Sequence, residues 1–188
     1  MAHLIFITHP EVTIDPVRPV TDWSLSPAGR ARAAAFAASG TLAAVTAIWS
    51  SAERKARDAA HILAAPLGLP VSIRPALGEI DRSATGFLPP DEFERTADAF
   101  FARPSDSIRG WERAADAQAR IETAVRHIAG THKTGDLAIV SHGAVGTLLY
   151  CALAGHAIDR RHDQPHQGHF WTADLPDLVP QHPWKPLD

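Results

Sequence analysis

The chain has 188 residues, 45% of them hydrophobic, which is the size of one domain with enough apolar material for a sizeable core. A formal net charge of -3, from 18 Lys and Arg against 21 Asp and Glu, provides no basic field and argues against nucleic acid as a partner. With Cys151 as the lone cysteine there is no internal disulfide, and no apolar run approaches the roughly 20 residues of a membrane span, so a cytoplasmic protein with no membrane partner is expected.

The opening segment lacks the basic start and long apolar centre of a signal peptide. Leu4-Ile5-Phe6-Ile7 is a short, partly β-branched apolar run that predicts a buried strand. A loop rich in Pro and Asp follows to Trp23. Ser26-Pro27 then supplies an N-cap and a Pro at the first helical position, and the Ala-rich stretch to Ser39 reads as a helix stopped by Gly40. Val45 to Trp49 is the second strand. Ser50 and Glu53 stand at capping-box spacing before a helix that runs to about Leu67, with Gly68 at its end.

Val71 to Arg74 reads as a third strand, and Leu88 to Phe101 as a helix after Pro89-Pro90. Trp111, Ala114, Ile121, Val125 and Ile128 recur at helical spacing, predicting a long amphipathic helix from about Arg109 to Ala129. Exposed apolar faces on that helix could serve a homodimer. Asp136 to Val140 is a strand ending at Ser141-His142-Gly143, and Ala144 to Leu153 is a helix. His169 to Thr172 and Val179 to His182 are short late strands.

Strands alternating with helices, with no linker, low-complexity run or internal repeat, predict one domain over 1–188. Its expected class is α/β, a three-layer α/β/α sandwich with a mainly parallel sheet. Ligands of such sheets bind beyond the carboxyl ends of the strands, where His9, Ser50-Ser51 and Ser141-His142 all fall. The two histidines are therefore expected in one cleft.

These residues carry a resemblance. Thr8-His9-Pro10 stands where the histidine phosphatase (phosphoglycerate mutase-like) superfamily has Arg-His-Gly. Leu25-Ser26-Pro27-Ala28-Gly29 matches that family's Leu-Ser-x-x-Gly helix start. Ser50-Ser51-Ala52-Glu53-Arg54-Lys55-Ala56 matches its Ser-Ser-Pro-x-x-Arg-Ala segment, with Lys55 at the arginine position. Leu77-Gly78-Glu79 matches Leu-x-Glu, and Ser141-His142-Gly143 matches Ser-His-Gly unchanged. Five motifs in order identify the chain as resembling that superfamily over most of its length.

The resemblance implies a phosphatase that needs no cofactor and acts on a small-molecule phosphate ester or a phosphorylated protein. His9 would be the nucleophile, Glu79 the acid and then the base, and His142 the donor to the phosphoryl oxygens. Ser51 lies at the positive start of the second helix, suited to an anion. Thr8 and Lys55 replace the two phosphate-clamping arginines: one offers only a hydroxyl, the other a charge without a fork. Arg82, just after the proposed acid, is the first candidate to compensate, with Arg54 and Arg57 flanking Lys55. A mutase is disfavoured, because it must retain phosphate firmly. Two competing readings stand beside the phosphatase: a phosphate-ligand-binding or regulatory member with little turnover, and a metal-assisted hydrolase using His162, Asp163, His166 and His169. Pro165 and Gly168 argue against that metal site, so none is expected, and the segment could instead line the cleft mouth.

Overall fold

A computed structural model describes residues 2–188. The long apolar runs come first because they dictate the sheet. Leu4 to Ile7 in β1 (His3–Thr8) and Leu137 to Val140 in β4 (Asp136–Ser141) are buried without a break. Strands with no polar alternation need cover on both faces, the condition of a central parallel sheet. β1 and β4 are indeed parallel neighbours, with Phe6 opposite Ile139. β2 (Val45–Ser50) pairs parallel with β4 on its other side and with β3 (Val71–Ile73) beyond.

The strand order is β3-β2-β4-β1-β5-β6. β5 (His169–Asp174) joins β1 antiparallel, and β6 (Val179–Pro180) and β7 (Lys185–Pro186) both pair with β5. β7 was not expected, since two residues with a Pro carry no strand pattern, and β6 stops short of the expected His182.

Side chains alternate across the pleat, so each central strand feeds two cores. Leu4, Phe6, Leu137, Ile139 and Trp171 face one side, under α4 (Ala114–Thr131) and α5 (Gly143–Ala154). Ile5, Ile7, Ala138 and Val140 face the other, under α1 (Pro27–Ala38) and α2 (Arg54–Ala64). Each fully buried large apolar side chain contributes roughly 1.5–3 kcal/mol. The result is the expected α/β/α sandwich, and α3 (Pro90–Ala102) adds Phe100 and Phe101 to the first of these cores.

Of three helix starts, one matches the sequence reading and two differ from it. α1 is capped as expected, Ser26 Oγ accepting from the Gly29 amide at 3.1 Å. Gly29 is required by crowding: a Cβ there would lie 2.1 Å from the Glu11 carbonyl oxygen. At α2 the capping box does not form. The helix starts at Arg54, with Glu53 itself at the N-cap, extended and without a side-chain cap bond, while Ser50 Oγ turns to the Ser51 carbonyl at 3.0 Å. α4 starts at Ala114, five residues later than the periodicity suggested, because Arg109 takes a left-handed conformation (φ 54°) in a tight turn before it. The apolar face of α4 (Ala114, Ala117, Ile121, Ala124, Val125, Ile128) is consumed by the core. Its exposed residues include Ala115 and Ala119 beside Asp116, Thr123, Arg126 and His127, and no large apolar side chain of the helix faces outward.

Candidate active site

The register of the sheet places three strand ends side by side. β2 delivers Ser51, β4 delivers His142 and β1 delivers His9, with the His9 amide donating to the Ser141 carbonyl at 3.2 Å and the Ser51 amide to the Val140 carbonyl at 3.1 Å. The two imidazoles meet edge to face, their centroids 5.2 Å apart at 67°. Both line a cavity of about 450 Å³ with Lys55, Glu79 and Arg82.

His9 is 6% exposed, and its Nδ1 lies 2.9 Å from the Pro10 carbonyl oxygen. A carbonyl oxygen only accepts, so Nδ1 carries the hydrogen and Nε2 keeps a free lone pair. Burial, with the Lys55 ammonium adding to it, lowers the His9 pKa to about 4, so the ring is neutral at ordinary pH. His142 is fully buried, and burial likewise holds its pKa well below the usual value for histidine. Its Nε2 lies 2.7 Å from Ser51 Oγ and 3.5 Å from Glu53 Oε1, and its Nδ1 has no protein partner.

Glu79 sits over the N-terminus of α5. One oxygen accepts from the Val145 amide (3.1 Å) and from its own neighbour Ile80 (3.0 Å), and the other accepts from the Ala144 amide (3.1 Å). Those amides favour the carboxylate, yet burial outweighs them and raises the pKa, helped by the nearby Glu53 charge. Glu79 is thus poised to hold a proton further up the pH scale than a free carboxyl. The loop bearing it is braced by Arg120, which donates to the carbonyls of Ala76 (2.9 Å), Gly78 (2.9 Å) and Glu79 (3.2 Å) while paired with Glu112 at 2.8 Å.

Lys55 is buried in the first turn of α2 and donates to the Val20 carbonyl at 2.8 Å and to Glu53 Oε2 at 2.5 Å. Glu53 is the residue that sequence reasoning missed. Its other oxygen accepts from the Glu79 amide at 2.8 Å. Burial opposes its charge, but the Lys55 ammonium and the hydrogen bonds from Lys55 and the Glu79 amide win and lower its pKa to about 2. Its spacing from Ser50 suggested a cap; the adjacent Lys55 was the available clue that its charge was needed elsewhere. Arg120 had no local signal.

Arg82 lines the cavity, its guanidinium 5.0 Å from the centre of the Phe93 ring. The other expected phosphate contacts fall elsewhere. Thr8 donates to Gln164 Oε1 (2.7 Å) and accepts from the His169 amide (2.9 Å), so its hydroxyl is occupied outside the cavity wall. Ser51 serves His142 rather than the cavity. Arg54 is one residue from Lys55, about 100° round the helix, and with Arg18, Arg57 and His61 it lines a separate outer cavity.

The His-rich segment splits up. Asp163, His166 and Gln167 line the cleft, whereas the rings of His162 and His156 stack with centroids 4.6 Å apart. Among the described residues, no three His, Cys, Asp or Glu side chains converge to hold a metal ion. Among these residues no helix is long and apolar enough to cross a membrane.

Comparison with known proteins identifies the fold and the family. No curated protein matches the chain by sequence. Several solved structures share its fold. A mycobacterial glucosyl-3-phosphoglycerate phosphatase has 19% identity and a TM-score of 0.79, over 98% of this chain and 96% of that one. Bacillus stearothermophilus YhfR has 21% identity and a TM-score of 0.81, over 96% of this chain and 95% of that one. A phosphoserine phosphatase from Entamoeba histolytica, in complex with 3-phosphoglyceric acid, has 19% identity and a TM-score of 0.77, over 96% of this chain and 94% of that one. The profile of the histidine phosphatase superfamily (branch 1) matches residues 4–172, and the chain belongs to that superfamily.

Proposed function

We propose that the protein hydrolyses a small phosphate monoester through a phosphohistidine at His9. The observation that carries this reading is the Pro10 carbonyl on His9 Nδ1 at 2.9 Å, which leaves Nε2 as an unprotonated nucleophile in the cavity.

In the first step the Nε2 lone pair attacks phosphorus and the ester P–O bond breaks. The departing alkoxide takes the proton of Glu79 and leaves as the alcohol. Glu79, now a carboxylate, accepts a proton from water, whose oxygen attacks the phosphohistidine. The P–N bond breaks, its electron pair returns to Nε2, and inorganic phosphate departs. Lys55, Arg82 and the His142 imidazole face the charge that builds on the phosphoryl oxygens. The Glu79 carboxyl suits both roles because its raised pKa leaves it able to donate while the α5 amides stabilise it after it has done so.

The test is to quench the protein during turnover of a labelled phosphate ester and look for acid-labile phosphate. Label on the wild type that is absent from His9→Ala supports the reading. Phosphate binding without any trapped label, across a broad panel of esters, would instead make the chain a ligand-binding member of its family.

A further inference from the structure

We infer that the substrate is the phosphate ester of an apolar, ring-bearing alcohol with no second negative charge. This rests on the reading of the His9 cavity as a phosphoryl site and goes beyond it by naming what lies on the far side of the ester oxygen.

The cavity wall carries charges of both signs. Three side chains there are permanently cationic: Lys55, Arg82 and Arg160. Lys55 is already paired with Glu53 at 2.5 Å. Arg160 is held by the carboxylates of Glu94 and Asp98 and donates to the Glu94 carbonyl at 3.0 Å. Among the described residues, Arg82 is therefore the one lining cation without a carboxylate partner, and the phosphoryl group needs it. A second anionic group on the substrate finds no free cation. It meets instead Glu94 and Asp163, which also line the wall. Asp163 has one oxygen accepting from Thr147 Oγ1 and from the Gln164 amide, both at 2.8 Å, so it is fixed in place. Placing a carboxylate beside such groups costs desolvation with no compensating pair.

Much of the remaining wall is aromatic. α3 contributes Phe93, Phe100 and Phe101 to the cavity, Trp111 stands behind Phe93 and Phe100, and Trp23 closes another side. Phe93 already carries the Arg82 guanidinium on its face, so the cation and the aromatic surface adjoin. A pocket of this composition gains affinity by burying apolar area and orients flat rings. A compact anionic leaving group, such as a glycerate or a serine carboxylate, uses neither property.

Non-hydrolysable phosphonates separate binding from turnover. Calorimetric titration of the wild type with 2-phenylethylphosphonate, propylphosphonate and 3-phosphonopropionate is expected to give affinities in that order. The first should bind at least about 30-fold more tightly than the last, by the apolar area of one ring and the loss of one unpaired charge. Glu94→Gln removes an exposed carboxylate from the wall and one of the two carboxylates that hold Arg160. It should improve 3-phosphonopropionate several-fold and leave propylphosphonate unchanged, an effect that a general loss of folding could not produce. Equal or tighter binding of 3-phosphonopropionate by the wild type overturns the inference, as does failure of all three to bind. The phosphatase reading is judged separately: phosphonates binding in the expected order with no label trapped on His9 would sink the catalytic reading and leave the ligand class standing.

Discussion

Replacing His9 with Gln should change how folding stability depends on acidity. In the native protein the His9 pKa is about 4, against 6.5 for an unhindered histidine. Between those two values the unfolded chain binds a proton at this site and the folded chain does not. Stability therefore falls as pH drops through the window and levels off below about pH 4, where both states are protonated. At roughly 1.4 kcal/mol per pH unit, the gap of 6.5 − 4 removes about 3 kcal/mol, a large share of the 5–15 kcal/mol typical of a folded domain. The Gln side chain can still donate to the Pro10 carbonyl but does not titrate. Urea unfolding, followed by tryptophan fluorescence from about pH 7.5 to about pH 4, measures the two proteins side by side. The difference between variant and wild type should move by about 3 kcal/mol in favour of the variant as the solution is acidified. Acidic side chains that titrate in the same range are common to both proteins and cancel. His142, shifted in the same direction, leaves the variant with a residual slope. A wild-type-minus-variant difference that stays flat with pH would refute the argument that burial holds His9 neutral.

Two further outcomes follow from the same cleft. The acid limb of kcat/KM should lie near the His9 pKa of about 4 rather than near 6.5, and the alkaline limb where Glu79 loses its raised proton; an acid limb centred near pH 6.5 would contradict the His9 assignment. Glu53→Gln frees the Lys55 ammonium from a full charge while an amide oxygen still accepts from the Glu79 amide. It should bind inorganic phosphate about tenfold more tightly at neutral pH by calorimetry, whereas weaker binding would mean that Glu53 acts mainly to hold Lys55 in place.

The parts of the fold that could be read from the chain were those written in periodicity and punctuation. The β1 and β4 runs, the Ser26-Pro27 helix start and the stop at Gly68 needed only local rules. His9 and His142 were found because each ends a predicted strand, and the superfamily's short motifs added Glu79 and the roles of all three. What escaped was whatever depended on a partner far along the chain. Thr8 looked like a phosphate donor until Gln164 and His169, some 160 residues away, took its hydroxyl. Glu53 had a respectable local role as a cap, and only the approach of Glu79 and His142 shows why it turns inward instead. Arg82 ranked ahead of Arg54 in the sequence; the loop carried the first into the cleft, and helix geometry turned the second away.

The central position of β1 has a consequence for biosynthesis. Both of its neighbours, β4 and β5, lie beyond residue 135, so Leu4 to Ile7 leave the ribosome with no strand to pair with until most of the chain has followed. Until then the nascent chain presents an apolar strand with two open edges, the kind of segment that recruits chaperones or other copies of itself. His9 rides on the end of that strand, so its ring gains its buried surroundings only in the closing contacts of folding. Fragments truncated before β4 should hold a full complement of upstream motifs and no competent site.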